Sequence, residues 1–216
     1  MRAGPGKAES TAAAATTPTV YVVDDDASVR RSMARLLKTH GFQAETLASA
    51  EDFLALGRYA SPGCLVLDVR MPGLNGLELQ DRMAALGLSL PIVFITGHAD
   101  VPMSVKAMKA GAVDFLPKPF SSKQLLSAVR LAIAKNKSEA VLAAQTASIR
   151  LRLSTLTPRE LEVLGLVVRG KMNKEIAADL SLSIKTVKVH RGRVMKKMEA
   201  ASLAELVRMA GAVGIS

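Results

Sequence analysis

Four polar positions each stand at the end of a short apolar run. They are the triplet Asp24-Asp25-Asp26 after Val20–Val23, Asp68 after Cys64–Leu67, Thr96 after Ile92–Ile95, and Lys118 just behind Val113–Leu116. Carboxylates held close together repel, so they either raise each other's pKa or bind a hard cation. Oxygen ligands with room left for water favour Mg2+. An acid cluster, a lone carboxylate, a hydroxyl and an amine are thus the groups whose meeting would matter.

The elements that would bring them together alternate. Strands are predicted at Val20–Val23, Gln43–Leu47, Cys64–Leu67, Ile92–Ile95 and Val113–Leu116. Helices are predicted at Ala27–Thr39, Ala50–Leu56, Leu77–Ala85, Pro102–Ala110 and Ser122–Ala134. Such alternation reads as an α/β fold, a five-stranded doubly wound parallel sheet. In an open parallel sheet the carboxyl ends of the strands share one edge, so residues just past each run converge on one crevice whatever their separation in sequence. Ser49 with Asp52 three residues on makes a capping box for the second helix.

The chain of 216 residues, 49% hydrophobic, suffices for one sizeable core and a small second one. Its single cysteine, Cys64, lies on a strand predicted to be buried and reads as a small core hydrophobe. No intrachain disulfide can form, and a reducing compartment, the cytoplasm, is the natural setting. Residues 1–18, rich in Ala, Thr and Gly and without Leu, Ile, Val or Phe, lack the core of a signal peptide and read as a disordered tail. The most apolar stretch, Met83–Ile95, contains Gly87, Ser89 and Pro91 and falls short of the roughly 20 residues that span a bilayer. No membrane partner is expected.

The net charge of +10 is unevenly placed: residues 19–135 carry 13 Lys and Arg against 11 Asp and Glu, whereas residues 151–216 carry 12 against 6. A small basic unit behind a nearly neutral one suggests division of labour. Residues 136–154, rich in Ala, Ser, Lys and Gln without a firm apolar period, read as a linker that can be helical. This divides the chain into a first domain at 19–135, the linker at 136–154, and a second domain at 155–216.

The second domain reads as all helical. Thr157-Pro158-Arg159-Glu160 combines an N-cap Thr, Pro at the first helical position and Glu at the third. Leu161, Leu164 and Val168 follow on one face, with Gly170 as the stop. Asn173–Leu180 and Ile184–Met198 are two further helices joined by the tight turn Ser181-Leu182, with Ser183 as cap; Ser202–Ala212 closes the bundle. Two short helices around a tight turn, the second strongly basic, form a helix-turn-helix pattern, whose second helix enters the DNA major groove. In that helix Ile184, Val187, Val194 and Met198 are expected to face the core. The candidate DNA-contacting residues are Lys185, Thr186, Lys188, Val189, Arg191, Arg193, Lys196 and Lys197, with His190 a packing or backbone-contacting residue.

These motifs carry a family resemblance. VVDDD, LDVRMPGLNG, FITGH and FLPKPF resemble the receiver domain of two-component response regulators; LTPRELEVL, NKEIA and KTVKVHR resemble the LuxR-type helix-turn-helix. Their order is that of the FixJ/NarL class. The resemblance implies that Asp25, Asp68 and the backbone carbonyl of Arg70 ligate Mg2+ directly, with Asp24 acting through water. It implies that Asp68 accepts a phosphoryl group from a sensor histidine kinase, that Lys118 and Mg2+ neutralise its oxygens, and that Thr96 donates a hydrogen bond to one of them. On phosphorylation Thr96 would turn toward the new group and Phe115 rotate inward, promoting homodimerisation and binding of double-stranded DNA. The expected function is therefore a phosphorylation-activated transcription regulator, not an enzyme. Lys118-Pro119 is a candidate cis peptide on the same ground.

Other readings stand beside this one. Asp26 suits an N-cap facing solvent better than a metal ligand. His98 reads as a polar loop residue, because no second His or Cys near it in sequence completes a metal site. Gly192 departs from the family pattern, where a larger residue is common, and leaves one position without a side chain to read a base. An Asp-nucleophile hydrolase of the haloacid-dehalogenase kind would carry DxDxT after the first strand, where this chain has DDDAS. A constitutive DNA-binding protein would bind equally well with or without phosphate.

Overall fold

The structure is a computed structural model that describes residues 17–97 and 101–215. Residues 1–16 of the expected tail, and His98, lie outside the described residues. The chain forms two compact units that divide after Glu139.

In the first unit five strands, β1 (Thr19–Val23), β2 (Gln43–Leu47), β3 (Gly63–Asp68), β4 (Ile92–Thr96) and β5 (Asp114–Pro117), form one parallel sheet in the order β2-β1-β3-β4-β5. The central strands β1, β3 and β4 are buried along their whole length, as expected for near-continuous apolar runs covered on both faces. The edge strand β2 has no fully buried residue. α1 (Ala27–Thr39) and α5 (Ser122–Leu153) cover one face through Met33, Leu37, Leu125, Val129 and Ile133. α2 (Ala50–Ala55), α3 (Gly76–Ala85) and α4 (Val101–Lys109) cover the other through Phe53, Leu79, Met83 and Ala107. Ser49 caps α2 by accepting from the Asp52 amide. Cys64 is a core residue, and burial pushes its thiol up to about 12, so it is inert.

α5 differs from expectation. It does not stop at Ala134 but runs unbroken to Leu153, and the stretch read as a linker that can be helical is its continuation. Residues 135–153 contain neither Gly nor Pro and are dominated by strong helix formers, so propensity sustains the helix where no apolar stripe marks it. Asn136, placed by sequence at the start of the linker, is buried in the first unit, where its Oδ1 accepts from the Gly63 amide at 3.0 Å and the Ser61 hydroxyl at 3.1 Å.

The second unit packs α6 (Pro158–Val168), α7 (Asn173–Asp179), α8 (Ile184–Met198) and α9 (Leu203–Ala212) around Val163, Leu164, Ile176, Val187, Val194, Met198 and Leu206. Thr157 and Glu160 form a complete capping box at the start of α6. One expected core position is corrected, and the buried face of α6 is shifted from the one read in sequence. Leu161 is 41% exposed, the buried stripe of α6 being Val163, Leu164, Leu166 and Val167. Ile184 is 49% exposed, because as the first residue of α8 it lies beside the cap rather than over the bundle, and the inward stripe begins at Val187.

Candidate phosphoacceptor crevice and DNA-binding surface

Asp24 leaves β1 fully buried, Asp68 ends β3 at 6% exposure and Thr96 ends β4 fully buried. Lys118 follows β5, and its amide donates to the Thr96 carbonyl at 2.7 Å, which fixes the two strand ends against each other. The Lys118 ammonium then reaches across the strand ends, 2.7 Å from Asp24 Oδ2 and 2.8 Å from Asp68 Oδ2. Asp24, Asp25 and Asp68 each offer a carboxylate oxygen within 4.8 Å of the others. Such a set of hard oxygen donors fits a hard divalent cation. The Arg70 amide donates to Asp68 Oδ1 at 3.2 Å and so orients the carboxylate. The Lys118-Pro119 bond is cis, as is Ser61-Pro62. Phe115 is half-buried on β5, its ring 6.1 Å from that of Phe94.

The electrostatics follow from burial. Desolvation raises the pKa of Asp24, although bonds from Lys118 and the Asp26 amide act against it. Burial acts to lower the Lys118 pKa, yet its hydrogen bonds and charge pairing with Asp24 and Asp68 outweigh that and raise it. Asp26 is exposed and caps α1: its carboxylate accepts from the Ser28 hydroxyl at 2.6 Å and the Ser28 amide at 2.7 Å, which holds its pKa below the usual range. The triplet therefore divides as its positions imply, two acids to the crevice and one to the helix.

Two residues that sequence reasoning missed shape the crevice. Arg30 holds three consecutive carbonyls of the acid loop. Its guanidinium donates to Asp24 O at 2.6 Å and Asp25 O at 3.0 Å, and its amide donates to Asp26 O at 3.0 Å. Its aim depends on how the loop returns, which no local pattern discloses. Gly76 opens α3 against the end of β3: a Cβ there would lie 2.4 Å from Asp68 O. The signal available was the LNG end of the second receiver motif.

In the second unit, Ser181 adopts a left-handed conformation at φ 53° in the turn between α7 and α8. Ser183 caps α8 by accepting from the Thr186 amide at 3.0 Å, and its hydroxyl also pairs with that of Thr186. Lys185, Lys188, Val189, Arg193 and Lys196 are exposed on α8, and Gly192 faces open space. Besides Thr186, two expected DNA contacts have other partners. Arg191 is half-buried and donates to Asn173 Oδ1 at 2.8 Å, tying α8 to α7. Lys197 donates to Glu160 Oε2 at 2.6 Å and to Thr155 O at 2.9 Å, so its charge is spent inside the bundle. Glu160, only 2% exposed, is held at about 2 by that ammonium and by the Thr157 amide. The buried Nδ1 of His190 has no hydrogen-bond partner among the described residues.

Comparison with known proteins matches residues 20–130 to the response regulator receiver domain and residues 154–210 to the luxR family of bacterial regulatory proteins. Nodulation protein W of Bradyrhizobium diazoefficiens is 47% identical over 203 residues, 94% of this chain and 89% of that protein. The transcriptional regulatory protein FixJ of Rhizobium meliloti is 48% identical over 201 residues, 91% of this chain and 96% of that one. Among solved structures, the response regulator StyR is 46% identical, covering 90% of this chain and 98% of its own, with a TM-score of 0.77. Full-length FixJ from B. japonicum is 44% identical over 92% and 98% of the two chains, with a TM-score of 0.55. No helix among the described residues is long and apolar enough to cross a membrane.

Proposed function

The chain belongs to the response regulators that join a receiver domain to a luxR-family DNA-binding domain, and on that footing we propose that phosphoryl transfer from a sensor histidine kinase to Asp68 switches DNA binding by the second unit. It is a transcriptional regulator rather than an enzyme. An Asp68 oxygen forms the new O–P bond as the N–P bond to the kinase histidine breaks. Lys118 holds a phosphoryl oxygen, and the Thr96 hydroxyl donates a hydrogen bond to another. Asp24, Asp25, Asp68 and the Arg70 carbonyl are the residues that would hold Mg2+. When bound, the ion neutralises charge on the transferred group. The observation that carries this reading is the Lys118 ammonium bridging Asp24 and Asp68 at 2.7 and 2.8 Å.

Phosphorylation adds roughly 1.5 to 2 negative charges at this edge. Thr96 then turns toward the phosphoryl group and Phe115 moves inward, which reshapes the surface of α4 and β5. Two copies dimerise through that surface and present two helix-turn-helix units to two half-sites. Support comes from α4, which exposes Val101, Val105 and Met108. We assign phosphoryl chemistry to residues 19–135, the connecting stretch to 136–154 and DNA binding to 155–216, all acting in the cytoplasm. Incubation with a small phosphodonor and Mg2+ tests the assignment by mass spectrometry. One phosphoryl group should appear on the native chain and none on Asp68→Asn. Undiminished labelling of that variant overturns the reading.

A further inference from the structure

The nearly neutral balance of the receiver hides a segregation of charge. α1 contains no acidic residue, and α5 contains none before Glu139. Arg31, Arg35 and Lys38 on α1, and Lys123, Arg130 and Lys137 on α5, are all exposed. None of the six takes part in an ion pair among the described residues. The acids of the flanking helices lie on the other face of the sheet, as Glu51 and Asp52 on α2 and Glu78 and Asp81 on α3. α1 and α5 cover the same face of the sheet, and α5 together with His40, the C-cap of α1, lines a cleft of about 520 Å³ through Ser122, Lys123, Leu126, Ser127 and Arg130.

An ordinary solvated helix face interleaves both signs at i and i+4, which relieves self-repulsion. This face does not. Arg31, Arg35 and Lys38 follow at i, i+4 and i+7, a stripe about 10 Å long at 1.5 Å per residue. Lys123, Arg130 and Lys137 repeat every seven residues along about 21 Å of α5. A row of unpaired cations suits an extended polyanion rather than a compact ligand, and duplex DNA offers one charge per about 1.7 Å of axis, so no register is required. A protein partner would want an apolar anchor. α1 exposes no large hydrophobic residue, and α5 exposes only Leu131 before Glu139. The same chain carries a luxR-family unit, which brings DNA near the receiver at high effective concentration.

We propose that the α1–α5 face of the receiver is a sequence-independent contact for the phosphate backbone of DNA, engaged while the second unit is bound. It rests on the DNA-binding reading of that unit. The test uses the full chain, phosphorylated by a small phosphodonor so that no kinase surface is involved, and a mixed-sequence duplex about 40 base pairs long titrated over a range of salt. Three proteins are compared: the native chain, Arg35→Gln with Arg130→Gln, and a matched control, Arg58→Gln with Arg82→Gln, whose arginines are exposed elsewhere on the receiver. The slope of log affinity against log salt should flatten by about two units in the first variant, near 0.9 per lost phosphate contact, and stay native in the control. Equal slopes in all three proteins overturn the proposal and leave the face to a protein partner or to solvent. Equal flattening in both variants overturns it in favour of net charge. Salt-insensitive or absent binding by the native chain overturns the DNA-binding reading itself, and this proposal with it.

Discussion

The ammonium of Lys197 lies 2.6 Å from the buried carboxylate of Glu160, so the last cationic turn of the recognition helix is fastened to the first turn of α6. A residue that by type and position belongs to a DNA-facing set is thereby a structural one. Removing it strands a carboxylate that is almost wholly out of water.

Lys197→Met should therefore destabilise the second unit on the order of 2 kcal/mol, between the values for exposed and fully buried pairs. It should leave the salt slope of DNA binding unchanged. Denaturant unfolding and a salt titration check the two halves. The pH dependence has a defined sign. Glu160 is held at about 2, below its ordinary 4.5, so the stability it confers is full above about 4.5 and is lost as pH falls through about 2. In Glu160→Gln this part of the acid-induced loss should be missing.

Much of the receiver crevice was legible in sequence because its members sit at strand ends, and parallel topology forces strand ends together. Asp24, Asp68, Thr96 and Lys118 needed no further information. What escaped depends on distances that topology does not set. Lys197 meets an acid 37 residues earlier, Arg30 finds carbonyls behind its own helix, and Gly76 matters only because Asp68 O presses on it. Ile184 escapes because helical periodicity ignores that a first-turn residue overhangs the end of the bundle. The apolar stripe marks α5 only to Ala134, while propensity alone carries the helix on through the stretch that sequence leaves open as a helical linker.

Asp25 and Asp26 should separate cleanly. Asp25→Ala removes a candidate ligand and should weaken Mg2+ binding severely by calorimetry, with little change in the metal-free thermal midpoint. Asp26→Ala removes the α1 cap and should lower that midpoint by a few degrees while leaving Mg2+ affinity near native. The reverse order would place the metal one residue along the triplet.

Asp24 carries a standing cost. A carboxyl whose pKa is raised by burial contributes stability below its unfolded pKa, and that contribution is lost as pH rises through the higher folded value. Mg2+ should consequently raise the thermal midpoint more at pH 7 than at pH 4, by an increment that grows with the logarithm of its concentration. Asp24→Asn should abolish most of that increment. An equal gain at both pH values would mean that the cation binds elsewhere.

Gly76→Ala should slow phosphorylation of Asp68 and cost about 1 to 3 kcal/mol, as overpacking does, because the new Cβ would stand 2.4 Å from backbone that cannot yield cheaply. Gly192→Ala has the opposite expectation. Open space surrounds it, so the helix should gain roughly 1 kcal/mol. Parallel unfolding curves distinguish the two.

On α8, Lys188→Ala should cost about 1 to 3 kcal/mol on the best site and flatten preference at one base position. Lys196→Ala should weaken all sequences alike and reduce the salt slope by about one unit. A site library measured at two salt concentrations reads both. A uniform loss for Lys188→Ala would place base reading elsewhere on the helix.

Asn136 decides where this protein can be cut. A receiver fragment ending at Lys135 would drop the side chain that receives the Gly63 amide, orphaning a buried donor at the root of the very strand whose far end is Asp68. A fragment carried through Glu139 keeps that latch and the compact unit it closes. Shuttling this receiver onto another output module therefore calls for a splice beyond residue 139, inside a helix that does not pause there.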